Sequence, residues 1–315
     1  MRIGLIDIDY NGSFPNLALM KLSAYHKQKG DSVGWYLPFS DRYDKVYVAK
    51  VFSFSPDYRD CINADEIIYG GSGYQIKLID GKEKWITPDK HNFMEVLPDE
   101  IEHIYPDYSI YPKLTKNTAY GYLTRGCPRN CSFCHVAQKE GTKSVQCGKL
   151  SDFWRGQKNI CLLDPNLLAC RNWKQLLQDL IDSKAHIDFT QGLDARLLTE
   201  EKCRLLAKIK IKNIHFAWDN YSDKDIILPK LEMFAKYRFI GKNTDHHAIV
   251  YTLVNYDTTM EQDLERIYTL RDLGYWAYVM IYNKEQADKK YSRLQRWCNN
   301  RFIFAKCKRY EDYKD

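Results

Sequence analysis

The sequence predicts an α/β fold built from parallel strands and the helices that connect them. Strand-like and helix-like segments alternate along most of the 315 residues, which is typical of parallel sheets. A connector over 76–116, punctuated by prolines, separates a smaller domain, 1–75, from a larger one, 117–285. A C-terminal helix and tail follow at 286–315. We therefore expect two α/β domains of unequal size.

The region 1–75 is predicted to be a Rossmann-like βαβ unit. Residues 2–9 form its first strand. Pro15 suits the first position of a helix, and apolar residues recur at helical spacing over 16–28. Gly30 closes this helix. The further strands are predicted at 32–37, 45–52 and 66–69.

The larger region is predicted to contain six strands, too few to close a standard eight-stranded barrel. His246 and His247 begin its fifth strand, opposite the end where barrel enzymes place their chemistry, so we interpret them as surface or structural residues. A last helix is predicted from 284, followed by a short tail. The six strands are 119–124, 159–163, 186–190, 211–217, 247–254 and 275–282; the helices between them are 172–182, 199–209, 223–237 and 260–273.

Composition predicts a cytoplasmic protein without a membrane segment. Hydrophobic residues make up 44% and charged residues 28%, as in ordinary globular proteins. No apolar stretch approaches the ~18 residues that a membrane helix needs. Met1 and Arg2 lead directly into the first strand, which leaves no room for a signal peptide. The ten cysteines are then expected to be mostly reduced.

The net charge of +6 weakly favours an anionic partner. Basic residues are enriched near the C-terminus, where Tyr291, Trp297, Phe302 and Phe304 lie among them. Such a mixture suits RNA, because cations contact phosphates and aromatic rings stack on bases. It equally suits a solvated helix face above an apolar stripe. Nucleic acid therefore remains an open possibility. The basic residues are Lys284, Lys289, Lys290, Arg293, Arg296, Arg301, Lys306, Lys308 and Arg309.

Three closely spaced cysteines dominate the functional prediction. Cys127, Cys131 and Cys134 lie in a loop with Pro128 and Asn130, both turn-forming residues, after a predicted strand. One such loop can direct three thiolates to a common point. With no fourth cysteine at fixed spacing, the set suits a [4Fe–4S] cluster with one open iron.

Other assignments of these cysteines are weaker. Cys131 to His135 fits the haem attachment pattern C-x-x-C-H, but that chemistry normally requires export. Zinc requires a second ligand pair, but Cys147 is single and no C-x-x-C or H-x-x-x-H pair follows. A thioredoxin-like dithiol leaves Cys127 unexplained. Cys147 itself is either a small core residue, a substrate-facing thiol or an auxiliary ligand.

The spacing C-x-x-x-C-x-aromatic-C, with Phe133 in the aromatic position, resembles the signature of the radical SAM superfamily. The flanking run from Thr124 to Cys131 is also similar to that superfamily, especially to members with an N-terminal cobalamin-binding-type domain. The resemblance is strongest over 117–142. It implies a partial, TIM-like (β/α)6 barrel preceded by a smaller Rossmann-like domain.

The resemblance also implies a reaction. A [4Fe–4S] cluster held by Cys127, Cys131 and Cys134 would cleave S-adenosylmethionine (SAM) reductively into methionine and a 5′-deoxyadenosyl radical, which takes a hydrogen atom from an unknown substrate. An external one-electron reductant of the flavodoxin or ferredoxin type would be the partner. An RNA-modifying enzyme and a non-catalytic iron–sulfur protein on the same fold remain alternatives.

Candidate SAM-binding residues follow from the resemblance and from their places at strand ends. Phe133 would lie beside the adenine. Asp164 or Asn166 would accept from the ammonium group, although the family's Gly-Gly-Glu segment is absent here; an Asx turn is the alternative. Val254 would contact the adenine, and Trp218 either walls the pocket or is a buried structural residue.

The predicted third strand ends in a polar run that contains Gln191, Asp194 and Arg196. Asp194 or Gln191 would bind the ribose hydroxyls, and Arg196 would pair with the SAM carboxylate. An internal ion pair between Asp194 and Arg196, which would cap the helix at Thr199, is the alternative.

Cobalamin is a further possible cofactor. Asp9 occupies the position where many cobalamin-binding domains carry the cobalt-ligating histidine. Gly70 and Gly71 lie where such domains let the backbone approach the nucleotide tail, although an ordinary glycine turn explains them equally. If cobalamin binds, a cobalamin-dependent radical SAM methyltransferase becomes the leading reaction class.

Overall fold

The computed structural model describes residues 1–80, 82–238 and 247–314, so His246 lies outside the described residues. The strands, in chain order, are β1 Arg2–Asp7, β2 Ser32–Trp35, β3 Tyr43–Ala49, β4 Ala64–Gly70, β5 Ile76–Ile79, β6 Lys82–Trp85, β7 Phe93–Met94, β8 Thr118–Gly121, β9 Thr124–Arg125, β10 Val145–Gln146, β11 Asn159–Leu162, β12 His186–Leu193, β13 Lys210–Ala217, β14 Ala248–Val254 and β15 Trp276–Ile281. The α-helices are α1 Leu17–Gln28, α2 Asp99–Glu102, α3 Pro112–Thr115, α4 Val136–Glu140, α5 Leu150–Phe153, α6 Trp173–Ser183, α7 Glu200–Lys208, α8 Lys224–Arg238, α9 Met260–Asp272, α10 Lys289–Asn299 and α11 Arg301–Lys306.

The chain divides into two compact units whose boundary crosses the cysteine loop. The first unit comprises Met1–Gly121, Asn130–Lys139 and Gly148–Ile160, and the second comprises Tyr122–Arg129, Glu140–Cys147 and Cys161–Asp315. Cys127 therefore belongs to the second unit, whereas Cys131 and Cys134 belong to the first. No helix in the described part of the chain is both long enough and apolar enough to cross a membrane.

A five-stranded sheet with the order β2-β1-β3-β4-β7 forms the centre of the first unit, and all its pairings are parallel. Alternation places Ile3 and Leu5 of β1 against Leu19 and Leu22 of α1. The predicted βαβ unit is present. Its helix begins later than predicted, because the Asn16 side chain caps it by accepting from the Leu19 backbone N–H at 3.2 Å.

The segment 76–116 has more regular structure than the prolines suggested. β5 and β6 form an antiparallel hairpin, and β7 extends the five-stranded sheet beside β4. These strands have only two to four residues each, which is too short for periodicity to be visible in the sequence.

The six predicted strands of the larger region form one sheet with the order β15-β14-β13-β12-β11-β8. The pairs β12–β13, β13–β14 and β14–β15 are parallel. The α/β class with parallel strands is thus confirmed. Within the described residues this order is linear, with β8 and β15 at the two edges, so the sheet is not a closed barrel.

Further predicted elements differ from the structure. The predicted strand 119–124 is interrupted, because β8 ends at Gly121 and Thr124 belongs to β9, which pairs with β10 in a separate sheet. β12 continues past Thr190 to Leu193, with its pairing to β13 interrupted between Phe189 and Leu193. The predicted last helix is two helices, because the Asn300 side chain caps a new one by accepting from the backbone N–H groups of Phe302 and Ile303, both at 3.1 Å.

A fully buried arginine ties two strand ends together. Arg266 of α9 donates to the carbonyl oxygens of Trp218 at 2.6 Å, Asp219 at 2.8 Å and Leu253 at 2.7 Å. Asp263, also fully buried, accepts from the same guanidinium at 2.6 Å. The charge of Arg266 is therefore paired, and its donors satisfy backbone acceptors at the ends of β13 and β14.

We expect Arg266→Met to lower the free energy of unfolding by about 3–5 kcal/mol, because it leaves Asp263 as a buried unpaired charge. Urea denaturation followed by circular dichroism measures this change. Arg204→Met, at an exposed position on α7, is the matched control and should change stability by less than about 0.5 kcal/mol. Equal losses in the two variants would contradict the role of Arg266.

Candidate functional site

The cysteine segment is closed at its base by a short antiparallel pairing. Within the second unit, Thr124 and Arg125 of β9 pair with Gln146 and Val145 of β10. The Cys147 backbone N–H also donates to the Leu123 carbonyl at 2.9 Å. The chain therefore enters and leaves this segment through adjacent, hydrogen-bonded strands.

The backbone at Cys127 is fixed by local contacts. Gly126 has a φ of 83°, and a Cβ atom there would clash with the Lys143 carbonyl oxygen. Its N–H donates to the Glu140 carboxylate at 3.3 Å, and the Cys127 N–H donates to the Gly141 carbonyl at 3.1 Å. Only glycine fits this turn without strain, which explains why a glycine precedes Cys127.

Asp164 is a buried carboxylate that binds the chain just before the cysteines. It accepts from the backbone N–H groups of Leu123 at 3.1 Å and Thr124 at 2.5 Å, and from the Thr124 hydroxyl at 2.7 Å. Burial raises the pKa of Asp164 to about 6, and these hydrogen bonds oppose that rise. In this structure Asp164 anchors the strand that leads to Cys127.

Asn166 contacts the first cysteine directly. Its Nδ2 lies 3.4 Å from the Cys127 Sγ, and its backbone carbonyl accepts from the Ser144 hydroxyl at 2.8 Å. Its Oδ1 is buried and has no hydrogen-bond partner among the described residues. A buried amide oxygen without a donor is costly, so this atom is suited to accept a hydrogen bond from a bound ligand.

Cys131, Phe133 and Cys134 belong to the first unit, and all three are half-buried. The Cys134 N–H donates to the Cys131 carbonyl at 3.0 Å, which forms a tight turn after Asn130 at a φ of 46°.

His135 holds this cysteine turn against the hairpin within the first unit. Its ring lies 6.1 Å from that of Trp85, and its Nε2 lies 3.5 Å from the Glu83 carboxylate. The hairpin, which the sequence did not predict, thus contacts the residue next to Cys134.

The polar run after β12 forms a chain of alternating charges. Asp194 pairs with Arg129, two residues after Cys127, and with Arg196 at 2.8 Å. Arg196 in turn reaches Asp223 at 2.9 Å. The alternative of an internal ion pair between Asp194 and Arg196 is therefore present, although Asp194 caps the turn at 195–197 rather than α7. Gln191 is exposed.

Trp218 and Val254 are both fully buried. The Trp218 indole Nε1 has no hydrogen-bond partner within the described ranges, while its carbonyl accepts from Arg266. Val254 pairs with Ile281 on the side of the sheet that packs under helices. This burial agrees with the alternative that Trp218 is a buried structural residue and does not wall the SAM pocket.

Gly70 and Gly71 pack against the chain's own backbone. Gly70 ends β4, and Gly71 has a φ of 102° with its Cβ position filled by the Lys50 carbonyl. Asp9 accepts from the backbone N–H groups of Val51 and Phe52, the latter at 3.4 Å. Close internal packing accounts for these glycines without a nucleotide tail.

One face of the larger sheet carries polar and aromatic residues that the sequence prediction missed. Alternation along the strands places Ile214, Phe216 and Val250 on a fully buried face. The opposite face, which we call the open face, carries Cys161, Asp188, Thr190, Asn213, His215, Tyr251, Tyr278 and Met280. The period-two pattern of polar residues in β12 and β13 was the available signal.

None of the ten cysteines is in a disulfide bond. Among residues 1–80, 82–238 and 247–314, no three His, Cys, Asp or Glu side chains are grouped so as to hold a metal ion.

Arg271 of α9 and some of the basic residues near the C-terminus lie over the chain's own aromatic rings. Arg271 lies 3.6 Å from the ring centroid of Phe304, and Arg301 lies 4.4 Å from that of Trp276. Arg293 lies 4.9 Å from that of Tyr310. Internal cation–π contacts therefore explain why cations and aromatic residues alternate here.

The chain matches no family model and no curated protein sequence.

We expect the buried carboxyl of Asp164 to make stability depend on pH. Its pKa in the folded protein, about 6, is above the ordinary value of 3.8, so folding favours the protonated form. That contribution is complete below about pH 4 and is lost as the pH rises through 6. Relative to Asp164→Asn, the wild type should lose about 3 kcal/mol between pH 4 and 7.

Urea denaturation at several pH values measures this difference, because subtracting the two profiles removes the titration of other groups. Asp225→Asn, at an exposed position of α8, corrects for the loss of one negative charge. Parallel profiles for the wild type and Asp164→Asn would contradict the assignment.

Proposed function

We propose that this protein is a radical SAM enzyme whose [4Fe–4S] cluster is held by Cys127, Cys131 and Cys134. The observation that carries the proposal is the spacing of these three thiols, with Phe133 in the aromatic position, in a segment that begins and ends in paired strands. Three thiolates are the ligand set of a cluster that keeps one iron open to a second ligand.

The residues around Cys127 support the proposal by their chemistry. All three thiols are half-buried and none is in a disulfide bond. The unpartnered Oδ1 of Asn166 lies on the same amide whose Nδ2 contacts the Cys127 sulfur. A ligand with an N–H or ammonium group beside Cys127 would satisfy it.

When bound, such a cluster supplies one electron to SAM, whose cleavage yields methionine and a 5′-deoxyadenosyl radical. Asn166 would orient the SAM amino group through its free oxygen. Arg129, held by Asp194, keeps a cationic group two residues from Cys127. Asp164 fixes the approach of the chain to the loop and would act without touching the cofactor.

The alternative reaction classes have less support. The positions proposed for cobalamin contacts, Gly71 and Asp9, are occupied by the chain's own backbone contacts. Of the basic residues considered for RNA, Arg293 and Arg301 lie over internal aromatic rings. A non-catalytic iron–sulfur protein would bind the same cluster, so SAM cleavage is the measurement that distinguishes it from the enzyme.

We expect the anaerobically reconstituted protein to convert SAM into 5′-deoxyadenosine and methionine when dithionite supplies electrons. Liquid chromatography with mass spectrometry measures both products. Asn166→Ala should lower the rate by about tenfold, which corresponds to the loss of one hydrogen bond to a charged group. An intact cluster that releases no 5′-deoxyadenosine would exclude the enzyme and favour the electron-transfer or structural alternative.

We expect Cys127→Ala, Cys131→Ala and Cys134→Ala each to abolish the broad absorbance of the reconstituted cluster and most of its bound iron. Each change removes one of three protein ligands. Cys61→Ala, at an exposed cysteine outside the loop, is the matched control and should retain iron and sulfide. Full iron content in any of the three loop variants would refute the ligand assignment.

A further inference from the structure

The open face of the larger sheet carries a connected set of hydrogen-bond acceptors. Cys161 Sγ lies 2.9 Å from the Thr190 hydroxyl, which donates to Asp188 at 3.1 Å. The Asn213 amide donates to the other oxygen of Asp188 at 2.7 Å. Each carboxylate oxygen has two lone pairs, so Asp188 retains the capacity to accept from a ligand.

His215 adds a second acceptor on this face. The ring is nine-tenths buried, and its Nδ1 lies 2.8 Å from the Phe189 carbonyl oxygen. A carbonyl only accepts, so Nδ1 carries the proton and Nε2 presents a lone pair. Nε2 has no protein partner among the described residues, and it is not fully buried.

An aromatic surface continues from His215 across the next two strands. The His215 ring stacks on Tyr251 at 5.0 Å and 12°, and Tyr251 meets Tyr278 edge to face at 5.8 Å. Tyr278 is 39% exposed and Met280 is 45% exposed, so this end of the surface is accessible. Tyrosine faces attract cations through their negative ring potential.

Charge decides which ligand this face suits. β14 and β15 contain no charged residue, and on the open face of β12 the charged group is Asp188. Lys212, whose side chain is 47% exposed, lies 3.9 Å from Asp188. The net charge of +6 therefore does not describe this surface, which is neutral to acidic and rich in acceptors.

We propose that the open face binds a ligand through a primary ammonium group, which donates to Asp188 and His215 and lies against the tyrosine surface. A phosphate or carboxylate ligand would lie beside the Asp188 carboxylate, which repels it. The inference rests on the proposed function only in taking this ligand as the substrate, because the binding itself requires no cluster. It favours an amine-bearing substrate over an anionic one.

The test compares two probes of equal size and opposite charge, propylammonium and propionate, at constant ionic strength. Binding is followed by the side-chain signals of ¹³C-histidine in the full chain. The His215 signal is identified by its absence in His215→Gln. We expect propylammonium to shift this signal in a saturable way, with millimolar affinity for so small a probe, and propionate to leave it unchanged.

Asp188→Asn should weaken propylammonium binding by about fivefold or more, since it removes the charge that the ammonium pairs with. Asp225→Asn is the charge-matched control and should bind as the wild type does. The inference is overturned if neither probe shifts the His215 signal, if propionate shifts it as strongly, or if Asp188→Asn binds normally. None of these outcomes depends on SAM cleavage, so the two proposals fail separately.

Discussion

The cysteine loop depends on one buried turn, residues 163–166, and above all on the carboxylate of Asp164. That carboxylate holds the backbone of Leu123 and Thr124 before the loop, and Asn166 contacts Cys127 within it. The carbonyl of Asn166 also accepts from Ser144, on the returning chain. This one short turn therefore contacts Cys127 itself, the strand before it and the returning chain after it. Burial of the carboxylate is costly, and its three donors offset that cost only while the strand stays in place.

Asp164 and Asn166 lie two residues apart but have different roles, which the sequence alone does not distinguish. Asp164 and Asn166 both follow β11, and both are buried. The oxygens of Asp164 are engaged by the backbone, whereas the Oδ1 of Asn166 has no partner within the described residues. The amide is therefore the better candidate for ligand contact, and the carboxylate is the better candidate for stability. Of the two residues predicted to accept from the SAM ammonium group, Asn166 is therefore the one that we propose.

The sequence was informative where a pattern extends over many residues. The six strands of the larger sheet and the helices between them were predicted within a few residues, because buried strands and amphipathic helices have distinct periods. It was uninformative for short elements such as β5, β6 and β7, and for the break at Asn300, where one capping side chain ends a continuous helical pattern. The open face was missed because residues such as Asp188, His215 and Tyr251 lie far apart in sequence and become neighbours only through strand pairing. The spacing of the cysteines is the basis of the proposed ligand set, while the contacts of Asn166 arise only in the folded chain.

The hydrogen bonds of Arg266 strengthen the sheet, whereas the irregular pairing of β12 weakens it. One guanidinium bonds carbonyls at the ends of both β13 and β14, so these strands cannot separate there without exposing a buried charge. Between Phe189 and Leu193, by contrast, β12 has lost its regular pairing with β13. Separating strands to admit a larger ligand would thus cost less between β12 and β13 than between β13 and β14. The irregular pairing between β12 and β13 includes Thr190 of the open face.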